Sequence, residues 1–283
     1  MSTRPAVPPS RPLLGRRTVL VAAILALGAV SGLAVGLRPA DLVPHGRGWE
    51  LTLEFLAAAL RPALDHEAVS VPPGTPAFPL QVGAALLRTV AYALAAMSLA
   101  VVAAAPLALL ASGAWWRGRG RLGSGVRWAV RGLVVVLRSV HELLWAVLFL
   151  AAFGLSPATG LLALALPYAG TLAKVWSEIL DEADPRPAAA LEALGATPLT
   201  RFLFGILPVA LPDVSAYAFY RLECCVRSAA VLGFFGIPTI GFLIARSFEN
   251  LHYREVWAQL WALVAVVLVL EGWSARLRRR FVA

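Results

Sequence analysis

Arg221, Glu223 and Arg227 lie within seven residues of one another in an otherwise apolar run, "YRLECCVRSAAVLGFFGIPTIGF", residues 220–242. Charge inside or at the edge of such a run is costly and is kept where it meets a partner, a cavity or water. Glu223 and Arg227 are four apart and are expected to pair along one helix face. That pairing leaves Arg221 as a donor for an anion passing through. The alternative is an interfacial cluster whose long side chains reach the headgroups and fix the orientation of the helix. Downstream, Gly233, Gly236, Pro238 and Gly241 interrupt residues 229–245. Non-helical backbone at membrane depth survives only where protein or a water-filled cavity satisfies it, so this stretch reads as a broken or re-entrant segment, or else as a kinked helix.

Other chemistry is sparse. His45, His66, His141 and His252 are scattered and do not form a metal-ligand pattern. Cys224 and Cys225 are adjacent within an apolar run, which argues against a disulfide framework and a metal site. Catalytic side chains do not gather at one depth, as a membrane-embedded enzyme would need. Intramembrane acids and inverted repeats, the marks of an ion-coupled secondary transporter, are also not visible. No GxxxxGK[ST] loop occurs, so any ATP hydrolysis must come from another chain.

The elements that hold these residues are membrane helices. The chain has 283 residues, is 59% hydrophobic and only 14% charged, against roughly a quarter charged in soluble domains. A spanning helix needs about 20 apolar residues, and six are expected. Residues 1–17 form a basic cytoplasmic tail and 18–37 a first span, too long in its apolar core for a typical signal peptide. Residues 38–79 form an extracytoplasmic loop with a short amphipathic helix near 49–63. The transmembrane domain proper covers residues 80–283. Its spans are expected at about 80–112, ended or kinked at Pro106, and at 132–153, 161–176, 209–226 and 256–270. Arg117, Arg119, Arg121, Arg127 and Arg131 follow the second span without an acid, and Arg276, Arg278, Arg279 and Arg280 end the chain. The positive-inside rule puts that side, with both termini, in the cytoplasm. Polar intrusions at Arg88, at His141 with Glu142, and at Lys174 with Glu178 read by default as interfacial anchors or helix-to-helix pairs.

Between the fourth and fifth spans lies an insert rich in acids, with Glu178, Asp181, Glu182, Asp184 and Glu192. Its core, "LEALGATPLTRFLFGILP", residues 191–208, follows the Ala-rich helix former "PAAALEAL". Gly195 breaks the helix, and Thr197 as cap with Pro198 at the first helical position restarts it. The expected product is two short helices bent at a glycine across the cytoplasmic ends of the spans, before Ile206, Leu207 and Pro208 turn the chain back.

Residues 187–208 resemble the signature loop of the integral-membrane subunits of ABC importers: EAA, three residues, Gly, nine residues, I-x-L-P. Here Gly195 is followed thirteen residues later by Pro208, with Leu207 before it. The resemblance implies an all-α integral membrane protein of six transmembrane helices with a cytoplasmic coupling helix, the type I ABC importer permease fold. It implies that Ala189, Glu192, Ala193, Gly195, Arg201, Leu207 and Pro208 dock into a cytoplasmic ATPase. The family's glutamate falls at Ala189. Glu192, one turn later on the same face, either meets the same basic surface or marks a weaker, differently paired dock. The acids of residues 178–184 are expected to meet basic ATPase surface.

Residues 137–184 and 220–242 are similar to phosphonate-importer permeases, whose Gly-rich turn reads about G-A-G-G-I-G where this chain has a stiffer "GIPTIG". The resemblance implies translocation of phosphonate or a related oxyanion such as phosphite or phosphate across the cytoplasmic membrane. Arg221, Glu223 and Arg227 would belong to the path, and Gly233, Gly236, Pro238 and Gly241 to an extracytoplasmic gate. The implied partners are ABC ATPase subunits carrying ATP and Mg, an extracytoplasmic binding protein, and a second permease copy, identical or paralogous. No cofactor is implied in this chain.

Overall fold

The computed structural model describes residues 15–68, 72–116 and 120–282. Arg4, Arg11, Arg117 and Arg119, and the side chains of Arg278, Arg279 and Arg280, fall outside that description. Residues 1–56 and 57–283 form two separate units. The described backbone is helical, with no strand among the described residues.

The first unit holds α1 (Arg16–Ala34) and most of α2 (Gly48–Ala58). α1 ends at Gly36, whose φ of 81° is left-handed. The Leu37 N–H bonds the Gly32 carbonyl and the Gly36 N–H bonds that of Leu33, so the orphan carbonyls of the last turn are satisfied by a Schellman motif. Its apolar side chains, such as Ile24, Leu25 and Leu27, are exposed within the unit, as a lipid-facing helix requires.

The second unit contains α3 (Phe78–Ala111), α4 (Gly113–Trp116), α5 (Gly120–Ser139), α6 (Glu142–Phe153), α7 (Pro157–Glu182), α8 (Arg186–Ala193), α9 (Pro198–Arg201), α10 (Leu207–Val231), α11 (Ile240–Glu249) and α12 (Tyr253–Val282). α7 is its hub, packed by α3, α5, α6 and α10. Ser156 caps α7 and Pro157 opens it. Ala93, Ala96, Ala100, Ala104 and Ala108 recur every three or four residues on α3 and are buried. Such a small-residue stripe lets two backbones approach where lipid supplies no hydrophobic drive. Gly170 does the same toward α5, where a Cβ would fall 2.8 Å from that of Leu137.

Among the described residues five helical stretches are long and apolar enough to cross a membrane, and the bent pair α5–α6, counted as one span, makes a sixth. The all-α, six-span expectation therefore holds, but several details differ. α3 runs through Pro106 to Ala111; the buried Ala100, Ala104 and Ala108 flank the proline, and packing keeps the axis intact where propensity alone would end it. The third span is not one helix. It pairs Gly123–Ser139 with Glu142–Phe153 and turns by 87° between them, with the His141 ring nitrogen Nδ1 accepting from the Leu143 N–H at 3.3 Å to cap α6. α7 reaches Glu182, so Glu178 and Asp181 lie on its last turns. Leu207 and Pro208 do not turn the chain; they open α10, after a π-helical turn at Phe202–Ile206.

Candidate functional site

Two constellations emerge in the second unit. The first is the bend between α7 and α10. Asp184 accepts from the Arg186 backbone and side chain (3.0 and 2.8 Å), and that guanidinium holds its carboxyl below the usual range. α8 ends at Gly195 with φ 78°; the Gly195 N–H bonds the Glu192 carbonyl and the Ala196 N–H that of Leu191, again a Schellman motif. Thr197 accepts from the Thr200 N–H at 3.3 Å and caps α9, which Pro198 opens. The two short helices bent at a glycine are thus present.

Glu192 binds across the bend: its Oε1 lies 2.5 Å from Arg201 Nη1, with Glu192 67% and Arg201 20% exposed. Ala189, Ala193 and Gly195 are exposed on the same insert, as are the larger apolar side chains of Leu194, Leu199 and Phe204. Ala188 is buried against Gly205, where a Cβ would approach the Ala188 Cα to 2.7 Å. Gly205 was not marked by the motif, although its place in "FLFGILP" is a small residue in a bulky run.

Three of the acids near the bend, Glu178, Asp181 and Asp184, are paired within the chain. Asp181 Oδ1 accepts from the Ser112 hydroxyl (2.6 Å) and the Ala114 N–H (2.9 Å), and Oδ2 from Arg127 (3.4 Å) and Arg131 (3.3 Å). Both arginines also donate through Nε to the Ala111 carbonyl, the free end of α3. One carboxylate therefore ties the ends of α3 and α7 to α4 and α5, beside the root of the insert. Glu178 pairs with Lys174. The partners of Asp181 lie 50 to 69 residues away, so only their basic and acidic character was visible in sequence.

The second constellation lies within the spans. Arg221 is roughly 21 Å from the start of α10 at about 1.5 Å per residue, near the middle of a 25-residue helix. Its guanidinium stacks on the Tyr168 ring of α7 at 4.7 Å, and its buried Nε has no partner. The Tyr168 hydroxyl and Ser228 Oγ are 3.1 Å apart, Ser228 donates to Glu142 Oε1 (2.7 Å), and His141 Nε2 is 3.6 Å from Glu142 Oε2. Since the single Ser228 proton goes to the carboxylate, Tyr168 is the donor to Ser228. Arg227, expected to pair with Glu223, donates to Cys224 Sγ at 3.4 Å. The bend at His141 is what delivers Glu142, expected as an anchor or a helix-to-helix pair, to Ser228 of α10; Tyr168 and Ser228 carried no motif that would mark them.

Beyond α10, Gly236 has φ 87°, and Gly233 crosses Gly241 so closely that a Cβ on Gly233 would meet Gly241 and Phe242 backbone, and one on Gly241 the Ala230 carbonyl. The break is satisfied by protein: the Ile240 N–H donates to Thr89 Oγ1 (2.9 Å) and Thr239 Oγ1 to the Ala230 carbonyl (3.2 Å). It is a true break, as non-helical backbone at this depth demands. Pro238 lies between the two glycines. Among the described residues no cluster of His, Cys, Asp and Glu could hold a metal ion.

This all-helical arrangement, with its hub helix, broken span and bent insert, is the fold of type I ABC importer permeases. The chain superposes on the inward-facing MetNI methionine ABC transporter with a TM-score of 0.63 at 20% identity, covering 71% of this chain and 96% of that one. It also superposes on an amino acid ABC transporter crystallised with histidines (TM-score 0.61, 16% identity, 72% and 95% covered). At these identities the likeness is one of fold. Residues 104–281 match the family described as binding-protein-dependent transport system inner membrane component, and the chain belongs to that family. It is 36% identical over 151 residues to the phosphite transport system permease protein PtxC of Stutzerimonas stutzeri, over 53% of this chain and 55% of that one. It is 29% identical over 215 residues to the phosphate-import permease protein PhnE of Mycolicibacterium smegmatis, over 75% of this chain and 39% of that one. The matches span about half or less of these curated relatives.

Proposed function

We propose that this chain is the membrane subunit of an ATP-driven importer that carries phosphonate or a related phosphorus oxyanion, phosphite or phosphate, across the cytoplasmic membrane. The observation that carries the reading is the α8–Gly195–α9 bend. It presents Ala189, Ala193 and Leu194 outward while Asp181 anchors its root to three helix ends, so a push on the bend is passed to α3, α5, α7 and α10 together. Two ABC ATPase subunits, holding ATP and Mg, dock there; a binding protein delivers substrate at the opposite face. A second permease copy, identical or paralogous, completes the path, and both termini face the cytoplasm. ATPase closure draws the coupling helices together and switches the spans from inward-open to outward-open.

The oxyanion assignment rests on the relatives' names and on the chemistry of Arg221. Its delocalised charge lies against an aromatic face at mid-depth with one N–H unspent, suited to a passing anion. Glu223 lies within one turn of it and Arg227 just under two turns away. In this reading, Gly233, Gly236, Pro238 and Gly241 form the gate at the outer mouth.

The test is reconstitution. The chain is expected to co-purify with an ABC ATPase, and phosphite or a phosphonate with its binding protein should raise ATP hydrolysis in liposomes. Gly195→Ala should lower that stimulation, because a Cβ in left-handed backbone costs roughly 1–2 kcal/mol and distorts the bend. If no ATPase came down with the chain, and substitution of Gly195 or Glu192 left stimulated hydrolysis intact, the reading would be wrong.

A further inference from the structure

Arg88 is a charge on a span that the transport reading leaves unused. It lies ten residues into α3, about 15 Å from Phe78 at 1.5 Å per residue, and its side chain is exposed. It makes no hydrogen bond or ion pair among the described residues, so the helix-to-helix pair expected of it is not formed there. A cation on a span is costly and is kept where it meets a partner, a cavity or water.

What Arg88 meets is a groove. An open cavity of about 410 Å³ runs between α3 and the start of α7, walled by Arg88, Ala91, Tyr92 and Ala95 on one side and by Ala158 and Leu161 on the other. Its size is that of small-molecule sites, roughly 300–1,000 Å³. Arg88, Tyr92 and Ala95 are four and three apart and so share one face of α3, and the two alanines leave the hollow. Tyr92 closes the seam against α7, where a Cβ on Gly160 would fall 3.3 Å from the tyrosine Cε1.

Depth and charge name the occupant. α3 is about 50 Å long against a hydrocarbon core of about 30 Å, so a centred helix leaves Arg88 roughly 5 Å below the boundary. Side chains on a helix lean toward its N-terminus, which tilts Arg88 back toward the Phe78 end, and a long cationic side chain there reaches the headgroup phosphates. The rest of the groove runs deeper, along Tyr92 and Ala95, at the level of the acyl chains. A cation at the headgroups with an apolar hollow beneath it matches a phospholipid. A free inorganic oxyanion matches only the first half, since in the hollow it would exchange its water for alanine and leucine. Among the described residues no carboxylate lines the groove to receive the cation of a zwitterionic headgroup, so a net-negative one is favoured. We infer that the α3–α7 groove is a binding site for an anionic phospholipid, its phosphodiester on Arg88 and one acyl chain over Ala91, Ala95 and Leu161. The lipid bridges α3 and the hub helix α7 beside the broken span, whose Ile237 would lie 2.9 Å from a Cβ on Gly160. This site is independent of which solute the protein carries.

The experiment uses the full-length chain, with the subunits that co-purify with it, in detergent. Bound lipid is counted by native mass spectrometry during titration with phosphatidylglycerol and with phosphatidylcholine of equal chain length. Phosphatidylglycerol is expected to fill a saturable site about tenfold more tightly than phosphatidylcholine, and Arg88→Gln should erase that preference by weakening phosphatidylglycerol about tenfold. Ala95→Leu should fill the hollow and weaken both lipids with the charge left in place. Val102→Leu, at a 70% exposed position of α3 outside the groove, should bind as wild type. Arg88 and Ala95 are both exposed, so melting temperature and subunit composition check the fold of each variant, and either variant decides the question if the other is lost. Equal binding of the two lipids, or wild-type binding by the variants, overturns the inference. So does displacement of phosphatidylglycerol by an equal concentration of inorganic phosphate, which would make the groove a solute site. Dissociation of a permease pair on Arg88→Gln overturns it as well, because the face would then belong to a second copy of the chain.

Discussion

Glu192 shows how a single side chain can be read two ways. In the family pattern an acid on this face is an ATPase contact, yet here it closes an ion pair with Arg201 across the Gly195 bend. Because Glu192 is mostly exposed, the pair contributes no more than about 1 kcal/mol to stability, and its value lies in fixing the angle between α8 and α9. A charge swap separates the two roles. Glu192→Arg or Arg201→Glu alone should depress substrate-stimulated ATP hydrolysis several-fold, with little change in melting temperature. If Glu192 acts by holding the bend, the double swap should recover most of the wild-type rate. If the rate stays at the single-variant level, Glu192 is being read by the ATPase directly.

Elements are tied at their ends by groups far apart in sequence. The Asp181 carboxylate gathers α3, α4, α5 and α7, and its arginine partners keep about a third of their side-chain surface exposed (31% and 32%, against 25% for Asp181). Removing one partner of a fully buried pair costs roughly 3–5 kcal/mol; at this exposure about 2 is expected. Asp181→Ala should therefore lower the thermal midpoint of the purified complex and slow transport. The glycine crossing is stricter. Gly241→Ala places a Cβ on the Ala230 carbonyl, beyond the roughly 1–3 kcal/mol of ordinary overpacking, and should abolish assembly, whereas Gly83→Ala, with open space around it, should be neutral. These contrasts mark what was legible beforehand. Gly195, Thr197 and Pro198 were readable because caps and glycine turns are local, set by residues three or four apart. The break at 233–241 was readable because glycine and proline mark it in any context. The convergence on Asp181, the 87° turn that brings Glu142 to Ser228, and the fit of Gly205 to Ala188 depend on neighbours that no local pattern names.

At the scale of the whole molecule the question is which end faces which solvent. α3 has 34 residues, about 50 Å at 1.5 Å per residue, against a hydrocarbon core of about 30 Å, so its two ends must emerge on opposite sides. The Ala111 end gathers Arg127, Arg131 and the coupling bend, and basic residues near span ends are retained in the cytoplasm. The Phe78 end carries the Glu67–Arg254 contact (3.9 Å), and in the proposed reading it faces outside. Accessibility labelling in a background with Cys224 and Cys225 replaced by serine tests this without any assay of transport. Leu194→Cys, at an 83% exposed position, should react with a membrane-impermeant maleimide only after the cells are opened, whereas Asn250→Cys should react in intact cells. The reverse pattern would invert the molecule and place the bend where no ATPase could reach it. Labelling of both positions from one side would mean that α3 does not span. Only the expected pattern leaves the bend open to the ATP-driven partner proposed above.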